Sequence, residues 1–283
     1  PRVGQSYPNF YAAQLASKFV KVVLAGTGGD ELFAGYPWRY FRVAEPQSFG
    51  AFMDNYYAYW QRLVSNSQLK ALFSPIFSDV EGVWTSAIFL GVLPEVLRED
   101  PSSESDSVNL SLYLESKTFL QGLLIVEDKL SMAHGLETRV PMLDNDLVDF
   151  AMGLPLSLKL KMGQKSMRID ENVPGSKPAQ YFSRTRNGKL LFREMAARYV
   201  PVKVSKGLKR GFSAPDESWF RGESIDFLRR TILSSESPIY QFFDPKVVES
   251  LISEHISGAR NRRLFAWSLL SFHAYLLAFD VEG

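Results

Sequence analysis

The sequence contains no cysteine. That excludes a disulfide framework, a cysteine-ligated zinc site and a thiol nucleophile on this chain. It also has almost no excess charge of either sign: 32 Lys and Arg against 31 Asp and Glu leave a net +1. No nucleic-acid partner is expected from such a balance, and any phosphate recognition must be local. Histidine is scarce, three in 283 residues and widely spaced, which argues against a histidine-based metal site. Nor is there a long hydrophobic run. The most apolar stretch, Leu264 to Phe279, is interrupted by Ser268, Ser271 and His273 and falls short of the ~20 apolar residues a spanning helix needs. It reads as a buried helix near the chain end. The amino terminus lacks a basic-then-apolar secretory pattern. These absences fit a cytoplasmic protein with no membrane partner.

What is present is a 46% aliphatic and aromatic share, enough for a substantial core. Lys21 to Ala25 (Lys-Val-Val-Leu-Ala) is a short β-branched apolar run stopped by Gly26, the pattern of a strand covered on both faces in a parallel sheet. Phe10 to Phe19 before it has helical spacing. Helix, buried strand and glycine-rich turn form the rhythm of a doubly wound α/β domain. Only this strand is evident, so its sheet partners are expected upstream of Pro1. From Gln47 onward the apolar spacing is helical: Phe52, Tyr56, Trp60 and Leu63; Leu110 to Leu124; Leu147 to Ala151, stopped by Gly153 and Pro155; Val247 and Leu251; and the terminal run. The fold expectation is a partial α/β domain that is predominantly helical after residue 45. Residues 161–188 have no clear period and read as a long loop.

The most informative stretch is Ala25-Gly26-Thr27-Gly28-Gly29-Asp30-Glu31-Leu32-Phe33-Ala34-Gly35-Tyr36. Glycines placed directly after a strand let the backbone approach a ligand and adopt positive φ. A helix beginning near Asp30 would present free N–H groups there. Spacing alone leaves two readings open, a phosphate-binding turn or a tight turn whose acids oppose a helix dipole. Carboxylates repel phosphate unless a cation lies between them, and Mg²⁺ takes one or two carboxylates together with phosphate oxygens. Asp30 therefore fits a metal-bridged pyrophosphate better than direct phosphate binding.

Three ordered blocks carry a resemblance. The glycine turn resembles the second nucleotide motif of the asparagine synthetase family. Asp128-Lys129-Leu130-Ser131-Met132-Ala133-His134-Gly135-Leu136-Glu137-Thr138-Arg139-Val140-Pro141-Met142-Leu143-Asp144 resembles that family more closely still. Lys209-Arg210-Gly211-Phe212-Ser213-Ala214-Pro215 is a third match, and Glu254-His255 through Trp267 resembles the family's closing helices. The resemblance implies an ATP-pyrophosphatase-type domain that binds ATP with Mg²⁺. A carboxylate attacks the α-phosphate, pyrophosphate leaves, and ammonia converts the acyl-adenylate to an amide, most simply aspartate to asparagine.

Residue by residue, the resemblance implies nucleotide contacts at Ala25, Gly26, Gly28 and Gly29. Only backbone contacts survive at Ala25, where the family has a serine. Asp30 takes the place of a Mg²⁺ ligand. Lys189, opening Lys189-Leu190-Leu191-Phe192-Arg193, takes that of the essential lysine; without the family it reads as a solvated lysine starting a helix. Thr27 stands where relatives usually have Glu, at the site of amide chemistry, which puts aspartate as acceptor in question. Glu137 and Arg139 are read as an ion pair or as the edge of an acceptor pocket, because Arg grips carboxylates with two bonds. Asp144 reads as a helix cap, His134 as a packed helix residue, and Lys203, Lys206, Lys209 and Arg210 as a solvated run or a lid.

The chain begins at Pro1, has no Ser-Gly-Gly-x-Asp-Ser pyrophosphate loop, and lacks the glutaminase domain that such enzymes carry. The expectation is a carboxy-terminal domain truncated at its amino terminus, over residues 1–283. Its partners would be a carboxylate substrate, ammonia or glutamine, and a glutaminase domain of the same parent protein; a homodimer is left open. The alternatives are the same chemistry on a sugar acid, peptide or β-lactam precursor, and a non-catalytic helical scaffold.

Overall fold

The structure, a computed structural model, describes residues 3–61, 63–163, 187–207, 222 and 224–280. Helix α1 (Val3–Ala16) leads into strand β1 (Val22–Leu24). The glycine turn follows, then two single-turn helices, α2 (Gly29–Leu32) and α3 (Pro37–Tyr40). Next come α4 (Phe49–Trp60), α5 (Asn66–Leu72), α6 (Phe77–Val80), α7 (Thr85–Leu90) and α8 (Glu104–Glu115). A π-helical segment, Ser116–Leu120, joins α8 to α9 (Gln121–Met132). Within it the hydroxyls of Ser116 and Thr118 donate to the carbonyls of Leu112 and Leu114, which competes with the regular ladder. Strand β2 (Glu137–Arg139) and α10 (Asn145–Gly153) complete the first part. Beyond them lie α11 (Leu190–Ala196), α12 (Val202–Ser205), α13 (Ile225–Ile232), α14 (Pro245–Ile256) and α15 (Arg263–Phe279).

Among the described residues the sheet has two parallel strands, with Val22 opposite Glu137, Val23 opposite Thr138 and Leu24 opposite Arg139. This corrects two expectations. A partner strand lies downstream within the chain, not only upstream; its Glu-Thr-Arg sequence carries no apolar signal. β1 is also not covered on both faces: Val22 is 52% and Leu24 75% exposed. Helix α1 packs on α9, and Phe10 meets His134 edge-on with ring centroids 4.4 Å apart, so His134 is packed as expected but lies in the turn after α9 and not in a helix. It begins and ends earlier than its sequence period indicated, because residues 17–19 already turn.

Apolar burial divides into neighbouring clusters. The carboxy-terminal one joins α5, α13, α14 and α15 through Leu72, Leu228, Ile232, Leu251, Ile252 and Phe265. The terminal helix forms as expected, but Tyr275, Leu277 and Phe279 are exposed while Leu276 among them is buried in the core, so its last turns contribute on one face alone. A second cluster packs α4 on α7 and α8 through Phe52, Tyr56, Leu93 and Leu114. On α8, Ser107, Ser111 and Glu115 recur at four-residue spacing and are fully buried, forming the row that meets α2 and α3. A smaller cluster of Leu32, Phe33 and Ala151, with Met142, Leu143, Val148 and Phe192 around it, underlies the glycine turn. Asp144 caps α10 as expected, accepting from the N–H groups of Asp146 (3.1 Å) and Leu147 (3.4 Å). No described helix is long and apolar enough to cross a membrane.

Candidate functional site

The glycine turn leaves β1 at Ala25, whose N–H donates to the Arg139 carbonyl at 2.8 Å. The sheet therefore uses the Ala25 donor, and a ligand could reach only its carbonyl. Gly26, Thr27 and Gly28 follow with backbone N–H groups that find no acceptor among the described residues. Gly28 has φ 96°, where a side chain is strained. A Cβ there would also stand 2.4 Å from Leu143 Cδ2, and one on Gly29 3.3 Å from Met142 Cε. These two glycines are thus explained first by packing: they let the turn rest on Pro141–Leu143, the end of the second resemblance block. Gly26 has open space around it, so it is the turn glycine that leaves room for a ligand.

Asp30 opens α2 and is fixed by a close backbone approach. Gly35 N–H donates to the Asp30 carbonyl at 2.7 Å, and a Cβ on Gly35 would lie 1.8 Å from Asp30 Oδ1. Lys189 reaches this carboxylate from far along the chain: its Nζ lies 3.0 Å from Asp30 Oδ1, with both side chains about a quarter exposed. Three local features place it. Gly188 lies so close to Ala34 that a Cβ would fall 2.1 Å from the Ala34 carbonyl oxygen. The Lys189 N–H donates to the Phe33 carbonyl at 2.9 Å. Phe192, one turn on, packs on Phe33 with ring centroids 5.6 Å apart.

Lys189 and Ala34 have φ of 57° and 55°; Asp280 is the other described non-glycine residue with positive φ. An L-residue in this region costs about 1–2 kcal/mol, and such strain collects where surrounding structure enforces it, frequently at functional sites. Lys189 is the residue preceding α11, as its position in the sequence indicated, but it is paired with Asp30 and not merely solvated.

Behind the turn lies a buried polar network that sequence reasoning missed. Tyr36 Oη donates to Glu31 Oε1 at 2.9 Å. Burial, reinforced by the neighbouring Asp30 charge, holds the Glu31 carboxyl above its ordinary range. The Arg39 guanidinium sits 3.9 Å from the Tyr36 ring centroid and 4.2 Å from that of Phe119, and donates to Glu115 Oε2 at 2.7 Å. Tyr56 Oη donates to the other Glu115 oxygen at 2.8 Å. Only the Tyr36 end of this network has a signal in the sequence, as the last residue of the glycine-turn block.

The chain matches the asparagine synthase family model over residues 1–277. It belongs to the asparagine synthase family. A Bacillus subtilis relative named asparagine synthetase [glutamine-hydrolyzing] 1 is 26% identical, matching 94% of this chain and 42% of its own length. A Mycobacterium tuberculosis protein provisionally named asparagine synthetase [glutamine-hydrolyzing] is 27% identical, over 94% of this chain and 40% of its own length. A more distant relative, amidase chyE of Penicillium rubens, is 22% identical over 71% of the chain. The chain therefore spans about two fifths of the length of the synthetase relatives it matches.

The structure brings together Gly26, Gly28, Gly29, Asp30 and Lys189. Thr27 points elsewhere: its hydroxyl donates to Glu127 Oε2 on α9 at 2.5 Å. Glu137 and Arg139 form a side-chain pair, Oε1 to Nε 3.2 Å, on β2 with both side chains largely exposed. An exposed pair of this kind contributes little stability, from nothing to about 1 kcal/mol. Lys203 and Lys206 are exposed, in keeping with a solvated run. Lys209, Arg210 and the rest of the third block lie outside the described residues, as does most of the loop expected over 161–188.

A divalent ion is the remaining element of the expected site. Among the described residues no three acidic or histidine side chains gather as a cage. Asp30 is an accessible carboxylate, whereas Glu31 beside it is buried and bonded to Tyr36. One carboxylate next to room for phosphate oxygens matches how Mg²⁺ is bound, so the residues present fit that ion.

Proposed function

We propose that this chain is the nucleotide-using part of an ATP-dependent, amide-forming ligase. In this reading a carboxylate substrate displaces pyrophosphate from ATP, and ammonia then displaces AMP from the resulting acyl-adenylate. The observation that carries the proposal is the meeting of Lys189 with Asp30 at the glycine turn, an ammonium and a carboxylate brought together from distant parts of the sequence on strained backbone.

The chemistry follows from what each group can do. Unengaged N–H groups of Gly26, Thr27 and Gly28 offer donors to phosphate oxygens. In this reading the Lys189 ammonium faces the non-bridging oxygens of the α-phosphate, where a fixed positive charge would stabilise the five-coordinate transition state more than the ground state. Asp30 orients that ammonium through their ion pair and would hold Mg²⁺, which neutralises charge on the departing pyrophosphate. Glu31 and Tyr36, with Arg39 and Glu115 behind them, keep the turn in place.

The pyrophosphate loop and glutaminase domain implied by the resemblance are not in these 283 residues, and in this reading both belong to other parts of the enzyme. Aspartate is the first acceptor to test. A second reading, another carboxylate acceptor, is favoured by Thr27, whose hydroxyl engages Glu127 where relatives usually have a glutamate, and by the presence of a relative named amidase. AMP and pyrophosphate release by the full-length protein, assayed across aspartate, sugar acids and peptide carboxylates, tests both readings. Release with aspartate supports the first, and release with another acid alone supports the second. No release with any acid contradicts the ligase.

A further inference from the structure

Glu127 is half-buried on α9, and its carboxylate accepts the Thr27 hydroxyl. No other polar partner is found among the described residues, so Oε1 is uncommitted and no cation balances the charge. The carboxylate borders a small cleft of ≈ 160 Å³ that also touches Ala25, Val23, Ser131, Thr138 and Asn9. An ionised carboxylate accepts only, so its free oxygen suits a cationic or proton-donating guest entering the cleft. The volume admits a guest of the size of ammonium or a small amine. Ala25 and Thr27 place this cleft against the turn at which an acyl-adenylate would be held. Glu127 thus combines a free acceptor oxygen, an uncompensated charge, space beside it and proximity to the turn, and a packing role needs none of these.

We infer that Glu127 is the carboxylate that receives the nitrogen nucleophile, with Thr27 as its positioning residue. The inference rests on the ligase reading above. Ammonium drawn to Glu127 gives its first proton to solvent through the open cleft, the ammonia that remains attacks the acyl carbon, and the Glu127 carboxylate then accepts the one proton that the attacking nitrogen loses. The C–N bond forms, the acyl C–O bond to AMP breaks, AMP departs with the bonding electron pair, and the amide nitrogen ends one proton poorer. Thr27 donates to Oε2 and so leaves Oε1 as the basic atom. This gives the second half-reaction a carboxylate on the helix facing the turn, not on the turn itself.

The test uses the full-length enzyme with ammonium chloride as nitrogen source, measuring pyrophosphate and amide in the same reaction. The wild type should form them in equal amounts. Loss of a positioned general base reduces its own step by on the order of 10²-fold or more. Glu127→Gln should therefore release pyrophosphate while the yield of amide per pyrophosphate collapses, with hydrolysed acid accounting for the difference. Half-saturation should also move to higher ammonium. Thr27→Glu combined with Glu127→Gln moves the carboxylate across the hydrogen bond and should recover most of the ratio. A purely structural role lowers both products together and leaves the ratio at the wild-type value, which overturns the assignment. If Glu127→Gln does not accumulate folded, Glu127→Asp keeps the charge but withdraws it by one methylene; an undiminished ratio there overturns it equally. A wild type that releases no pyrophosphate with any acid removes the ligase reading and this role with it, whereas turnover with an unaltered ratio removes this role alone.

Discussion

Replacing Lys189 by alanine and by glycine separates the two things that residue does. Its Nζ lies 3.0 Å from Asp30 Oδ1, and its backbone lies at φ 57°, ψ 37°. Both variants remove the ammonium, and with it a partly exposed ion pair contributing about 1 kcal/mol or less. That loss is common to both and cancels in their comparison. The backbone does not cancel. Alanine retains the left-handed strain of about 1–2 kcal/mol, and glycine relieves it while adding about 0.5–1 kcal/mol of unfolded-state freedom. Lys189→Gly should therefore be more stable than Lys189→Ala by about 0.5–1 kcal/mol, a melting difference of about 1–3 °C for a chain of this size. Catalysis follows the charge: removing a fixed electrostatic stabiliser lowers the rate by roughly 10²–10³-fold, and both variants should lose adenylation alike. Thermal melts and ATP–pyrophosphate exchange on the full-length protein provide both readouts. An alanine variant as stable as the glycine one refutes the strained backbone, and near-normal exchange in either refutes the role of the ammonium.

Arg39→Met leaves Glu115 buried without its cation, which should destabilise by about 3–5 kcal/mol, and adding Glu115→Leu should recover much of that in denaturant titrations. Glu31 has a raised carboxyl pKa in the folded state, so the native protein holds its proton more tightly than the unfolded chain. Its contribution to stability is fully present below the ordinary carboxylate value and is lost as pH rises through the raised one. Glu31→Gln keeps an oxygen for Tyr36 and should flatten that decline in melts taken from acid to neutral pH; an unaltered slope counts against a buried, ionising Glu31. Gly35→Ala forces a Cβ onto Asp30, so pyrophosphate release should fall sharply, and near-normal release would show that Asp30 can move without consequence.

How far the sequence reveals this arrangement depends on the kind of constraint. The glycine turn was legible because positive φ and close approach restrict which residue can stand at Gly28 and Gly35. The helices after residue 45 were legible through apolar spacing, and the α10 cap through Asp144. Strand β2 was not: Glu137, Thr138 and Arg139 pair through backbone alone and show no apolar alternation. The pairing of Lys189 with Asp30 could be reached only through the family, because nothing local to either residue indicates the other. Arg39 with Glu115, and Thr27 with Glu127, are invisible for the same reason: each joins side chains far apart in sequence, and each carboxylate lies in a helix where it reads as an ordinary polar position. Gly28 and Gly29 were expected to serve a ligand, and the structure gives them a prior duty in seating the turn on Met142 and Leu143.

The central claim is that the glycine turn, Asp30 and Lys189 form an adenylation site. It is tested most directly by titrating Mg²⁺ in the pyrophosphate-release assay for the full-length wild type and for Asp30→Asn. Asparagine keeps the shape and the hydrogen-bonding oxygen but removes the charge that attracts the cation and orients Lys189. Mg²⁺ takes few protein carboxylates, so losing one should be felt strongly. The account predicts a titration displaced to much higher Mg²⁺ and a lower rate at saturating ATP. Coincident titrations, with only the melting temperature changed, would contradict it and reduce Asp30 to a structural acid at the start of a short helix.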